Sequence, residues 1–221
     1  MNAVSFSEHA FSVEWGPLEV SKFDALLHTF SQSKKAVLVD ENTHEYCLEF
    51  LVTSFEALAN AEVIVLPAGE QSKILEICAQ VWETLTAAGF GRHDLLINLG
   101  GGMVSDLGGF AASIYKRGIA FINIPTSLLA VVDASIGAKT GIDFAGYKNQ
   151  IGTFYPVGGE KVRITPEDVK HIKYFDATGM KLMGFKPRSA LKVFHNIKHS
   201  YFIYPDEKRI IGSSQVADAL I

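Results

Sequence analysis

Short unbroken apolar runs alternate along this chain with longer stretches in which apolar residues recur every three or four positions. Ala36-Val37-Leu38-Val39-Asp40 is the first such run and predicts a strand buried on both faces. A helical pattern follows it, carrying Tyr46, Leu48, Leu51, Phe55 and Leu58. The unit then repeats. Glu62 to Pro67 predicts a second strand, and Gln71 to Ala88 an amphipathic helix with Ile74, Ile77, Val81 and Leu85 on one face, stopped by Gly89. Leu95 to Leu99 predicts a third strand running into Gly100-Gly101-Gly102; Phe121 to Pro125 predicts a fourth, with a short helix from Thr126 to Ala134. Strands that alternate with helices of this length need crossover connections. The expected fold is therefore α/β, a Rossmann-like doubly wound parallel sheet with helices on both faces.

The texture changes near Gly158-Gly159. Lys161 to Ile164, Leu191 to Phe194, Tyr201 to Tyr204 and Arg209 to Ile211 are short β-rich runs without strand-then-helix alternation. Residues 1–157 hold 9 Lys and Arg against 17 Asp and Glu, whereas residues 158–221 hold 11 against 7, so the two parts differ in charge as well as in pattern. The expected organisation is an α/β domain over 1–157 and a short β-rich segment over 158–221, whose independence as a domain is left open.

No apolar stretch approaches the roughly 20 residues of a membrane span. The N-terminus, from Met1 to Val13, lacks the basic start and apolar run of a secretory signal, so a cytoplasmic location is the expectation and no membrane partner is implied. Cys47 and Cys78, the only cysteines, belong to no metal-ligand spacing and read as buried thiols.

A strand that ends in consecutive glycines and opens a helix suits a phosphate group. The backbone approaches closely, and the free N–H groups of the helix supply positive potential. Gly100, Gly101 and Gly102 fit this, although the spacing is not GxGxxG and a tight turn is the plainer alternative. Asp106, one turn into the helix, is placed to hold a cofactor hydroxyl or amide. Ile124 to Asn149 gathers Thr126, Ser127, Asp133, Lys139, Thr140, Lys148 and Asn149 between glycines. Arg117 and the lysines would neutralise a phosphate, and Asp133 and Asn149 would bond polyol hydroxyls; the alternative is a helix cap and solvated lysines.

Gly100-Gly101-Gly102-Met103-Val104-Ser105-Asp106, Tyr115-Lys116-Arg117-Gly118, Ile124-Pro125-Thr126-Ser127-Leu128-Leu129-Ala130, Val132-Asp133-Ala134-Ser135-Ile136-Gly137-Ala138-Lys139-Thr140 and Lys148-Asn149-Gln150-Ile151-Gly152 resemble, in order and spacing, the 3-dehydroquinate synthase family of sugar-phosphate cyclases. The resemblance covers about residues 1–156. It implies NAD as cofactor, with Asp40 and Asn42 on the adenosine side, and Glu70 and Lys73 from the turn Pro67-Ala68-Gly69-Glu70-Gln71-Ser72-Lys73. It further implies cofactor contacts from Gly100, Gly101, Gly102, Asp106, Thr126, Ser127 and Lys148, and catalytic contacts to a phosphorylated sugar acid from Arg117, Asp133, Lys139 and Asn149. The family's activity is that of a phosphate-eliminating carbon-oxygen lyase of the shikimate pathway, with transient use of NAD and a zinc ion.

The zinc ligands of that family, one glutamate and two histidines, come from a helical second domain that is not found after Pro156. His195 and His199 stand four apart but in strand-like surroundings with no adjacent glutamate, so no metal residues are assigned. Tyr174-Phe175-Asp176, Gly179 to Pro187, Tyr204-Pro205-Asp206-Glu207 and Ile210 to Ser214 instead resemble part of the β-barrel region of the seventy-kilodalton subunit of the Ku DNA end-binding heterodimer. Three readings follow: an NAD-binding half of a cyclase, inactive alone; a DNA-binding fragment, with DNA as a partner only through this tail; or a fusion with no integrated function. Homodimerisation is left open.

Overall fold

The computed structural model describes residue 18 and residues 20–154, 199–204 and 209–212. Strands β1 (Lys35–Asp40), β2 (Glu62–Leu66), β3 (Leu95–Gly100) and β4 (Ala120–Pro125) run parallel in the order β4-β3-β1-β2. Their apolar runs are continuous because both faces are covered. Val37, Val39, Val63, Val65, Leu95 and Ile97 pack under α1 (Val20–His28), α2 (Glu41–Tyr46) and α3 (Leu48–Ser54), through Phe23, Leu27, Leu48 and Leu51. Ala36, Leu38, Ile64, Leu66 and Leu96 face α4 (Leu75–Ala87) and α5 (Gly102–Ile114), through Ile77, Val81, Leu85, Val104 and Leu107. The doubly wound parallel sheet is the fold expected of the pattern.

Local chemistry moves several boundaries. The helical stretch after β1 breaks at Cys47. Asp40 starts a capping box with Thr43, and α2 ends after one and a half turns before α3 and a 3₁₀ turn at Glu56–Leu58 take over. Gln71 lies in a 3₁₀ turn (Glu70–Ser72), so α4 begins only at Leu75. It ends as expected at Gly89, whose φ of 70° lets Phe90 N–H donate to Leu85 O at 2.9 Å, the closing bond of a Schellman motif. The short helix expected from Thr126 to Ala134 is a π-helical turn, Ala130–Ile136. Cys47 and Cys78 are both buried and unpaired with each other.

An antiparallel hairpin lies where the sequence showed only a polar stretch. β5 (Lys139–Phe144) and β6 (Tyr147–Phe154) are joined by Ala145 and Gly146, at φ 52° and 82°, a two-residue turn of the type that matches strand twist. The hairpin packs on α5, which is pressed between it and the sheet. Two glycines permit this. A Cβ on Gly108 would sit 2.1 Å from Asn98 Oδ1 of β3 and 2.7 Å from Leu38 Cδ2 of β1; a Cβ on Gly109 would sit 2.5 Å from Thr140 Cγ2 of β5.

Of the expected tail strands, two lie among the described residues: β7 (His199–Tyr204) and β8 (Arg209–Gly212). β7 adds to the sheet parallel to β2, and β8 pairs antiparallel to β7. The runs at Lys161–Ile164 and Leu191–Phe194, the junction at Gly158-Gly159 and His195 lie outside the described residues. No helix among the described residues is long and apolar enough to cross a membrane.

The close approach of α5 predicts that Gly108→Ala separates helix from sheet and destabilises the fold by about 1–3 kcal/mol. Urea unfolding monitored by circular dichroism measures this; an unchanged midpoint would contradict the packing described.

Candidate functional site

Because β1 pairs with β2 on one side and β3 on the other, all parallel, the order in which strands are added reverses between β1 and β3. In open α/β sheets the crevice beyond the strand C-termini at such a point is where ligands dock. A recess of about 230 Å³ opens there, lined by Asp40, Asn42, Tyr46, Cys47, Gly101 and Thr126, with Thr43 at its wall. Asp40 is held by its cap: its Oδ1 accepts from Thr43 N at 2.8 Å and from Thr43 Oγ1 at 2.9 Å. Thr126 N–H donates to Gly100 O at 2.9 Å, tying the exit of β4 to the glycine turn. A larger depression, about 510 Å³, lies on the outer face of α4 around Trp82; it is remote from the strand ends and from the polar cluster described next.

The three glycines have different reasons to be there. A Cβ on Gly100 would meet Val104 Cβ at 2.5 Å, so the protein itself requires that glycine. Gly101 and Gly102 are not required in this way. Their nearest neighbours to an added Cβ are Ser127 Oγ at 3.5 Å and Leu129 Cδ2 at 3.8 Å, ordinary van der Waals contacts. Both have backbone angles that any residue adopts, and Gly101, the N-cap of α5, makes no side-chain cap bond. Bare backbone at an uncapped helix N-terminus beside a recess suits a dinucleotide pyrophosphate. The residues present thus fit the cofactor that the sequence implied.

Beside the glycine turn stands a buried ammonium. Lys73, 3% exposed, donates to Glu70 Oε1 at 2.8 Å, Asp106 Oδ2 at 3.2 Å and Asn149 Oδ1 at 2.8 Å, which occupies its three N–H bonds. Asp143 Oδ1 lies 3.8 Å away, and Lys148 Nζ stands 3.8 Å from Glu70. Burial alone would lower the Lys73 pKa, but the hydrogen bond to Glu70 and the charge of Asp106 outweigh it and raise it, so Lys73 is a cation. Asp106, 15% exposed, is shifted upward by burial against the opposing pull of Lys73, with Asp133 and Glu70 adding to the rise. Asp133, on the π-helical turn, is paired with Lys139 at the start of β5. Ser127 Oγ accepts from Ala130 N at 3.3 Å and lies against Gly101.

The structure therefore gathers Glu70, Lys73, Asp106, Lys148 and Asn149 in one network, sets Asp133, paired with Lys139, where its charge acts on Asp106, and places Asp40, Asn42, Gly101 and Thr126 in the recess. Arg117 is not brought to this group. It follows the C-terminus of α5, roughly 20 Å along the helix from Gly102, at the end of the sheet opposite the strand C-termini. Tyr46 and Cys47 of the recess read in the sequence as helix-face and core positions. Burial, then the charge of Asp40, pushes the Cys47 thiol up to about 11, so it meets the recess as a neutral group. Asp143 carried no signal, being one carboxylate inside a stretch that read only as polar. Among the described residues no group of three His, Cys, Asp or Glu is placed to hold a metal ion.

Two family models match the chain. That of the 3-dehydroquinate synthase N-terminal family covers residues 63–173, and that of the Ku70/Ku80 beta-barrel domain covers residues 138–221. The two overlap from 138 to 173, so the change expected near Gly158 falls inside both. The chain is 46% identical over 136 residues to 3-dehydroquinate synthase of Parabacteroides distasonis (62% of this chain, 38% of that protein) and 39% identical over 153 residues to that of Acidithiobacillus ferrooxidans (69% and 42%). It spans about two-fifths of the length of these curated relatives. Among solved structures, 2-deoxy-scyllo-inosose synthase shares the fold at TM-score 0.62 and 24% identity over 70% of this chain and 44% of the other. A 2-epi-5-epi-valiolone synthase from Streptomyces hygroscopicus with NAD+ and Zn2+ bound matches at TM-score 0.56 and 30% identity, over 71% and 43%. A match across half of the chain, spanning the buried lysine, the glycine turn and the hairpin that closes on them, makes this chain a member of the 3-dehydroquinate synthase N-terminal family.

Proposed function

We propose that the chain is the dinucleotide-binding half of a sugar-phosphate cyclase of 3-dehydroquinate synthase type, which binds NAD and completes no turnover alone. The observation that carries this is the pair of glycines, Gly101 and Gly102, at the start of α5 beside the recess, where a Cβ would make only ordinary contacts and the protein's own packing does not call for a bare backbone. In this reading Asp40 and Asn42 bond the adenosine ribose, while Gly100 to Gly102 and the start of α5 take the pyrophosphate. Glu70, Lys73, Asp106, Thr126, Ser127 and Lys148 orient the nicotinamide side. When bound, NAD would accept and return a hydride, so the reaction shows no net oxidation. Asp133 and Asn149 would hold hydroxyls of a phosphorylated seven-carbon sugar acid, and Lys139 its phosphate, whose loss leads to 3-dehydroquinate in the shikimate pathway. The pairing of Lys139 with Asp133 would open to admit that phosphate. Arg117, at the far end of α5, takes no part within one chain. The zinc of the family finds no ligand set among the described residues, and no step is assigned to it. A cytoplasmic setting accords with two buried, neutral thiols.

A second reading is favoured by the Ku family match over residues 138–221: duplex DNA-end binding by the tail, in the manner of the seventy-kilodalton subunit. It predicts a duplex affinity that falls steeply with salt and ignores NAD. Mobility shift from 50 to 200 mM salt decides it, and no shift at the lower salt removes it. Absence of both NAD and duplex binding in a folded sample would leave the fusion without an integrated function.

Titration calorimetry should show NAD binding to the chain. Gly101→Ala and Gly102→Ala should each weaken it by at least about tenfold, about 1.4 kcal/mol, at unchanged thermal stability. No heat with the folded parent, or full affinity in both variants, would end the cofactor reading.

Lys73 generates a pH prediction. The folded protein binds the Asp106 proton more readily than the unfolded chain, whose carboxyl titrates near 3.8, so this group's contribution falls as pH rises from 3.8 through the raised value. Lys73→Met removes the opposing cation, lifting that window and deepening the loss. The variant should be about 3–5 kcal/mol less stable at pH 7 and should recover towards pH 4. A deficit constant with pH in urea unfolding would show that Asp106 is not the group involved.

A further inference from the structure

Asp143 lies at the register shift of the β5–β6 hairpin, between the paired positions Ile142 and Phe144. Such bulges free a backbone group from the ladder and re-aim nearby side chains. Here the freed Asp143 N–H donates to Lys73 O at 2.7 Å, forming an isolated parallel bridge between Ile74 and Asp143 that fastens the hairpin to the turn bearing Lys73. The Asp143 carboxylate reaches across the hairpin. Its Oδ1 accepts from Asn149 N at 2.8 Å and also lies 3.8 Å from Lys73 Nζ. Asn149 is itself in the left-handed region, at φ 52°, and its side-chain Oδ1 accepts from Lys73 Nζ.

These bonds close a ring: Asp143 to the Lys73 backbone, Lys73 Nζ to the Asn149 side chain, and the Asn149 backbone to Asp143. We infer that Asp143 is a positioning residue of this site, holding Asn149 in its left-handed conformation so that its carboxamide oxygen meets Lys73 and its NH₂ is the group offered to a ligand. A lysine only donates, so the oxygen of the amide must face it. The ligand atom met by Asn149 is then an acceptor, such as a phosphate or carboxylate oxygen. Asp143 acts through the hydrogen bond to Asn149 N: its Oδ1 is 3.8 Å from Lys73 Nζ, beyond hydrogen-bond reach, and Lys73 already bonds Glu70 and Asp106.

The affinity part of the test rests on the proposed NAD site; the conformational part does not. In the full chain, Asp143→Ala should raise the exchange rate of the Asn149 backbone amide and, by loosening the Asn149 bond to Lys73 on the proposed nicotinamide side, weaken NAD binding, each by about tenfold, with the thermal midpoint little changed. Asp143→Asn keeps an acceptor oxygen in place and should restore both. Asp143→Glu keeps the charge but shifts the acceptor by a methylene, and should lose both; it serves also if Asp143→Ala does not fold. Parent behaviour in Asp143→Ala or Asp143→Glu overturns the inference, and so does an Asp143→Asn variant as impaired as the alanine. If the parent itself binds no NAD, the cofactor reading fails while Asn149 exchange still decides the role of Asp143.

Discussion

A lysine ammonium taken out of water must be fully paired or it costs several kcal/mol, and the architecture around Lys73 follows from that constraint. Its three donors go to three segments far apart in sequence: Glu70 in its own turn, Asp106 on α5 and Asn149 on β6. The turn, the helix after the glycines and the hairpin are thereby fixed relative to one another. Apolar packing already brings these segments together through Val104, Leu107 and Ile142, with Ile74 and Ile151 against them, and the polar contacts of Lys73 add to it. The same constraint keeps Asp106 in place as a buried carboxylate beside the turn where a pyrophosphate would lie, which is the kind of support a binding site needs from outside its contact layer.

The lysine network can be precise only because α5 is held on both sides at minimal distance. Two adjacent glycines inside a helix cost about 1 kcal/mol each in helix propensity. In return Gly108 lets the helix touch β1 and β3, and Gly109 lets the hairpin touch the helix. Thr153 Oγ1 then donates to Ser113 Oγ at 3.3 Å, a further tie between hairpin and helix. Asp106 and Asn149 therefore sit on elements in direct contact, and their separation is set by backbone packing rather than by flexible side chains.

The strands were legible because a strand buried on both faces must be apolar at every position, and few other structures produce runs such as Ala36 to Val39 or Leu95 to Leu99. The stop at Gly89 was legible for a similar reason, since the αL cap leaves little choice of residue. The hairpin was not. Its turn is Ala-Gly rather than Asn-Gly, and Gly141 and Gly152 interrupt the alternation that would mark its strands. The break at Cys47 was hidden because apolar positions continue across it, while the capping box that begins α2 uses Thr43 where a Glu or Gln is the usual sign. The burial of Lys73 lay beyond reach altogether: a lysine between Ser72 and Ile74 looks like surface, and its partners are 33 and 76 residues away. For the same reason the residue types of the site could be read from the sequence, whereas the separation of Arg117 from the rest required knowing which way α5 points.

The overlap of the two family matches raises the question of where the hairpin belongs. Its contacts answer for its physical role. Thr140 fills the space left by Gly109, Asn149 takes a donor of Lys73, and Asp143 bonds the Lys73 backbone, so removing the hairpin would strand a buried ammonium and uncover α5. The α/β unit therefore extends through Phe154 whatever follows it. β7 differs in kind. It meets β2 through backbone hydrogen bonds in parallel register, and a free sheet edge accepts any extended segment of suitable length. Its described pairing covers the β2 edge through the backbone, on the side of β2 away from β1 and the recess.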